Sequence, residues 1–242
     1  MKVWLPSLDK KGHDLLELKD DFSFEYMESN IKDDVLEVTV VETGVLTDCQ
    51  FQILFEIATS NLANGQYRDA VVAAHTALER YREFFILAEF IGQGFDSAII
   101  KEFWSSMGNQ SERQFGAYQA MMFLRSKSIN QDLNDNHVRY RNKVVHQGVF
   151  GNNENTYKYC LAVLKIIENG LTVLTSNDDK TLSMAMESEY ISRKVTESAI
   201  PISINPLLRF ENLKNDGLVN CFNSRLGELK NTLSFEITWP NK

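Results

Sequence analysis

Gln66-Tyr67-Arg68-Asp69-Ala70-Val71-Val72-Ala73-Ala74-His75-Thr76-Ala77-Leu78-Glu79-Arg80-Tyr81 opens the stretch that decides the fold. Within it and just beyond, Tyr67, Ala70, Val71, Ala74, Ala77, Leu78, Tyr81, Phe84, Phe85 and Ala88 recur at three- and four-residue intervals. That spacing gathers them on one side of a helix over 66–90, and an apolar stripe of this kind is a buried one. Asn64-Gly65 supplies turn chemistry immediately upstream, so 51–62 is predicted as a separate helix packed antiparallel to the first.

Working outward, 152–174 predicts another amphipathic helix through Tyr159, Leu161, Val163, Leu164, Ile166, Ile167, Leu171 and Leu174. Ser176-Asn177-Asp178-Asp179 breaks it, and Asp178 or Asp179 can start a further helix to about Thr196. Pro201 and Pro206 mark an irregular or extended crossing, and a short final helix is expected over 218–229. The N-terminal pattern is different. Residues 22–28 alternate apolar and polar, 35–41 are rich in β-branched residues, and 29–34 carry turn chemistry, which together predict a hairpin. An alternating segment at 233–239 is expected to add a third strand, because two strands alone are marginal. The predicted fold is therefore mainly α: a helical bundle with a small antiparallel β element formed by the N- and C-terminal segments. The corresponding division is an acidic, β-rich segment over 1–48, a helical core over 49–175 and a C-terminal helical extension with a final strand over 176–242.

Chemistry concentrates in Arg141-Asn142-Lys143-Val144-Val145-His146. Arginine is permanently charged and presents a planar fork of donors matched to phosphate oxygens. Histidine titrates near neutrality and can both take and give a proton. Gly148 follows as a helix stop, and the two valines supply an apolar anchor. At about 100° per residue, Arg139, Asn142 and His146 share a face, whereas Arg141 lies about 140° from His146. Either Arg141 sits at a first turn and folds its long side chain back across the helix, or Arg139 is the functional cation. An arginine and a histidine at this distance also occur in helices that only cap their own C-terminus.

The segments Gly65-Gln66-Tyr67-Arg68-Asp69-Ala70 and Ala74-His75-Thr76-Ala77-Leu78-Glu79, followed by Arg141-Asn142 and then His146-Gln147-Gly148, resemble the HEPN superfamily over residues 50–175. That resemblance implies an all-α domain marked by an arginine, a polar residue and a histidine four to six positions after the arginine. It also implies a metal-independent endoribonuclease of toxin–antitoxin, abortive-infection or CRISPR-linked defence systems, or a relative that has lost activity and serves as a dimerisation or binding module. Under the first reading Arg141, Asn142 and His146 are the catalytic residues. The ribose 2′-hydroxyl would attack the adjacent phosphorus to leave a 2′,3′-cyclic phosphate. Arg139, Lys143, Glu79 and His137 complete the candidate set as substrate-binding residues, although Glu79 equally reads as an ordinary solvated carboxylate. RNA is the implied partner, a homodimer the implied assembly, and an antitoxin or regulatory protein a further partner.

Composition bounds these readings. Residues 1–60 hold 5 Lys+Arg and 13 Asp+Glu, so the net charge of −8 belongs to the N-terminal part; the remaining 20 of each sign cancel. Around the motif, 125–146 contain Arg125, Lys127, Arg139, Arg141 and Lys143 against Asp132 and Asp135, a local balance of +3 able to hold a phosphate backbone. Cys49, Cys160 and Cys221 are scattered, without disulfide or zinc spacing. Gly92-Gln93-Gly94 lacks the third glycine of a dinucleotide loop and reads as a helix terminator. No metal, no cofactor and no membrane association are expected, and the expected compartment is the cytoplasm.

Overall fold

Residues 2–5, 14–18, 23–32, 35–107, 111–128, 132–176, 179–192, 200–202 and 207–232 are described by the computed structural model. In chain order the elements are β1 (Lys2–Leu5), β2 (Asp14–Leu18), β3 (Ser23–Lys32), β4 (Val35–Leu46), α1 (Gln50–Ala63), α2 (Tyr67–Gly92) and α3 (Ser97–Met107). They continue with α4 (Ser111–Ser126), α5 (Asp135–His146), α6 (Asn153–Thr175), α7 (Asp179–Ser192), β5 (Ile200–Ile202), α8 (Phe210–Asn215) and α9 (Leu218–Thr232). The described chain is mainly helical. It divides into two compact units: Met1–Cys49 with Met186–Asn205, and Gln50–Ala185 with Pro206–Lys242.

In the first unit the backbone forms a sheet in the order β1-β2-β3-β4-β5. The pairs from β1 to β4 are antiparallel, with Lys32 opposite Val35 at the tip of the β3–β4 pair and an irregularity between Tyr26 and Met27. β5 joins β4 in parallel, placing Pro201 opposite Val45 on an edge strand, where a missing N–H is tolerated. The sheet is thus not wholly antiparallel. Its last strand comes from the crossing marked by Pro201, while the strand expected over 233–239 lies outside the described residues.

The second unit is built on a helical hairpin. Gly65 takes φ +73°, the left-handed conformation that ends α1 and reverses the chain into α2. The predicted stripe of α2 is buried from Ala70 to Ala88, joined by Ala73, Ile86 and Glu89; Tyr67 is only half-buried. Phe51 of α1, Tyr81 and Phe85 of α2 and Tyr118 of α4 form a chain of ring contacts with centroids 5.1–6.4 Å apart. α6 crosses α2 where Gly170 faces Tyr81, so closely that a Cβ at 170 would overlap the tyrosine hydroxyl.

Two differences from the sequence expectation stand out here. Residues 97–126 carry two helices that the patterns above do not assign. α4 inserts Tyr118 and Met122 into the core yet leaves Phe123 and Leu124 half or more exposed, so its periodicity is blurred. The segment after 206 also returns to the helical unit: Phe222 packs on Phe55 and stacks on Tyr157, and Glu56 binds Arg225 at 2.8 Å. Within 176–242, the described residues 207–232 thus pack with the helices of the second unit. The helix expected to reach Thr196 is described over Asp179–Ser192, and 193–196 lie outside the described residues.

Candidate functional site

α5 starts at a capped N-terminus, where the Asn134 side chain accepts hydrogen bonds from the N–H groups of Asn136 and His137. It is anchored by Val144, which is fully buried, and by the Tyr140 hydroxyl at 2.7 Å from Thr156 Oγ1 on α6. Val145 is only half-buried, so one valine of the pair provides the anchor. The helix ends at His146, and Gly148 at φ +68° turns the chain away while the Val149 N–H returns to the Lys143 carbonyl.

Arg141 and His146 meet. Arg141 Nη1 lies 3.0 Å from His146 Nε2 and donates to Asn142 Oδ1 at 2.9 Å. Arg141 is mid-helix, not in a first turn; it reaches His146 because that residue closes the helix and is exposed. A guanidinium can only donate, so in this contact His146 Nε2 is the accepting atom. Arg141 is half-buried, and its Nε is buried without a hydrogen-bond partner among the described residues. Arg139 turns the other way, donating from Nε to the Asp135 carbonyl and from Nη2 to Asn136 Oδ1. Lys143 is exposed on the same side of α5.

Behind the motif, α2 and α6 bring a second polar group. His75 Nδ1 lies 2.9 Å from the Tyr159 hydroxyl, and its Nε2 is 3.7 Å from Glu79 Oε1. Burial, then the charges of Arg141 and Arg82, hold the His75 imidazole down at about 4. Burial raises the Tyr159 hydroxyl, partly opposed by the same two arginines. His137 packs edge-on to Tyr159 with centroids 6.3 Å apart, and burial lowers its basicity. Glu79 is thus a neighbour of His75, and the carboxylate that pairs with Arg82 is Asp132, at 2.5 Å. In the sequence, His75 stands only within the stretch that carries the resemblance, and Tyr159 only among the apolar positions of 152–174. The available signal was the polar row His75-Glu79-Arg82 along α2, beside the apolar stripe.

The local basic surface is smaller than the sequence count. Arg125 is an internal clasp: it reaches Glu89 at 3.1 Å and the carbonyls of Val173 and Leu174 at 3.4 and 3.2 Å. The exposed cations of α5 are Arg139, which folds back towards Asp135, and Lys143. Among the described residues no group of three or more His, Cys, Asp and Glu side chains is placed to hold a metal ion, and no helix is long and apolar enough to cross a membrane. No family model, curated protein or solved structure matches the chain.

Proposed function

We propose that this chain is a metal-independent endoribonuclease of the HEPN type, with Arg141 and His146 as its catalytic pair. One observation carries the reading: the 3.0 Å approach of Arg141 Nη1 to His146 Nε2 at an exposed helix end, with Asn142 holding the same nitrogen. Permanent positive charge and a proton acceptor then share a space the size of a phosphate group. In the reaction, His146 Nε2 takes the proton of the ribose 2′-hydroxyl as the P–O2′ bond forms and the P–O5′ bond breaks. The products are a 2′,3′-cyclic phosphate and, once the leaving oxygen is protonated, a 5′-hydroxyl. Proton transfer of this kind contributes roughly two to four orders of magnitude in rate. Arg141 stabilises the charge that develops on the non-bridging oxygens, and Asn142 keeps its fork aimed at them.

One imidazole cannot serve both ends of an in-line displacement at the same moment. A homodimer in which two motifs face one cleft supplies the second. The setting that suits such an activity is a cytoplasmic defence or toxin–antitoxin system, with a regulatory protein as a further partner. A second reading is favoured by the buried, unpartnered Arg141 Nε: the pair could be an internal contact of a catalytically silent dimerisation or nucleotide-binding module.

Cleavage rates of two single variants test the assignment. Arg141→Lys keeps the charge but loses the planar fork, and is expected to slow cleavage by about two to three orders of magnitude. Arg139→Ala, whose guanidinium faces the other end of α5, is expected to stay within about tenfold of the wild type. The reverse ranking makes Arg139 the functional cation, and a wild type that cuts no RNA favours the silent module.

A further inference from the structure

We propose that Phe150, with the exposed cations of α5, forms a binding track for an unpaired RNA strand, the Phe150 ring stacking on a base next to the Arg141–His146 pair. This rests on the ribonuclease reading and names the substrate class for it. Phe150 leaves 91% of its surface exposed, against 44% for Val149 beside it. The exposure does not come from a loose loop. Gly148 and the Val149-to-Lys143 hydrogen bond fix the chain before the ring. After it, a Cβ at Gly151 would lie 2.6 Å from the Tyr140 hydroxyl, 2.9 Å from Tyr67 Cβ and 3.0 Å from Thr156 Oγ1. The backbone on that side is therefore pressed against three helices, and Asn152 caps α6 directly afterwards. An aromatic ring is thus held out into solvent from a pinned turn.

Charge selects the occupant. From Arg139 to Asn153 the chain has three cations, Arg139, Arg141 and Lys143, and no carboxylate, while Asn142, Gln147, Asn152 and Asn153 add amide donors. Lys143 and His146 fall within about 60° of one another around α5, a row that leads along the helix to the turn carrying Phe150; Arg139 stands on the same face one turn earlier, with its guanidinium turned back to Asp135 and Asn136. Lys143 has no carboxylate partner among the described residues. A row of cations ending in an aromatic face is the combination that holds a single strand: phosphates meet the charges and a base meets the ring. A duplex keeps its base faces stacked inside and offers the ring nothing, so the track selects unpaired RNA.

The test is binding of a fluorescent oligouridine with 2′-O-methyl riboses, which cannot be cut, followed by anisotropy. Phe150→Ala and Phe150→Leu are expected to weaken binding about tenfold, whereas Phe150→Trp retains it. Lys143→Ala is expected to reduce the slope of log affinity against log salt by about one. A perfect duplex should bind wild type and Phe150→Ala alike. The proposal is overturned if Phe150→Leu binds the single strand as the wild type does, or if Phe150→Ala weakens duplex binding equally. It is also overturned if Phe150→Ala lowers the mass in sedimentation equilibrium while oligonucleotide affinity is unchanged, which makes the ring a protein contact. Phe150-dependent binding by a protein that cuts no RNA refutes the nuclease reading and leaves this one standing.

Discussion

His75 is the residue whose environment makes the sharpest prediction about pH. It is mostly buried between α2 and α6, bonded to Tyr159, and held at about 4 against an ordinary value of 6.5 by burial and by the charges of Arg141 and Arg82. An unfolded chain therefore takes up this proton before the folded one does. Stability from this group is complete above about pH 6.5 and is lost as the pH falls from there towards 4, by about 3 kcal/mol in total. The urea midpoint of the wild type is expected to drop between about pH 7 and about pH 5, and His75→Gln to flatten that drop. Equal pH dependence in both proteins would show that His75 is not the group responsible. At this scale the sequence was partly legible. Arg141, Asn142 and His146 could be singled out from their chemistry, but a helical wheel sets Arg141 and His146 about 140° apart. Their contact depends on His146 being the terminal helical residue, with Gly148 bending the chain away. No angular count contains that information.

Among the elements, the α2–α6 crossing is set by one small residue. Gly170 lies inside a helix, where glycine costs about 1 kcal/mol relative to alanine, and it is kept because the fully buried Tyr81 hydroxyl occupies the space of its missing side chain. Gly170→Ala is therefore expected to destabilise the protein by about 1–3 kcal/mol despite the better helix propensity. The Tyr81 hydroxyl has no hydrogen-bond partner among the described residues. Tyr81→Phe should consequently be neutral or slightly stabilising, and it should recover part of the loss when combined with Gly170→Ala, the ring carbons at 2.9 and 3.2 Å remaining. Additive losses in the double variant, measured by chemical denaturation, would contradict this packing. The apolar stripe of α2 could be read in advance because nearly every position obeys one period. α4 could not, since Arg125 serves as an internal clasp on Glu89 and two carbonyls while Phe123 and Leu124 face outward. A charged residue inside and apolar residues outside invert the pattern on which such a reading depends.

For the whole molecule, the division of charge and the division of structure nearly coincide. The net charge of −8 lies in residues 1–60, and the first compact unit begins at Met1 and breaks at Cys49. The start of the helical unit was visible as a change from alternating to helical periodicity. Its end was not, because the return of 206–232 depends on contacts more than 150 residues apart, such as Gln52 with the Leu208 carbonyl at 2.7 Å and Glu56 with Arg225. No local pattern encodes such partners. The central claim, that this bundle cuts RNA through Arg141 and His146, is met most directly by incubating an RNA mixture in EDTA with the wild type and with His146→Ala. Product ends are then analysed. The wild type is expected to leave 2′,3′-cyclic phosphate and 5′-hydroxyl ends, and the variant to lose at least about a hundredfold in rate. Equal cleavage by both proteins, or ends of any other kind, would contradict that claim.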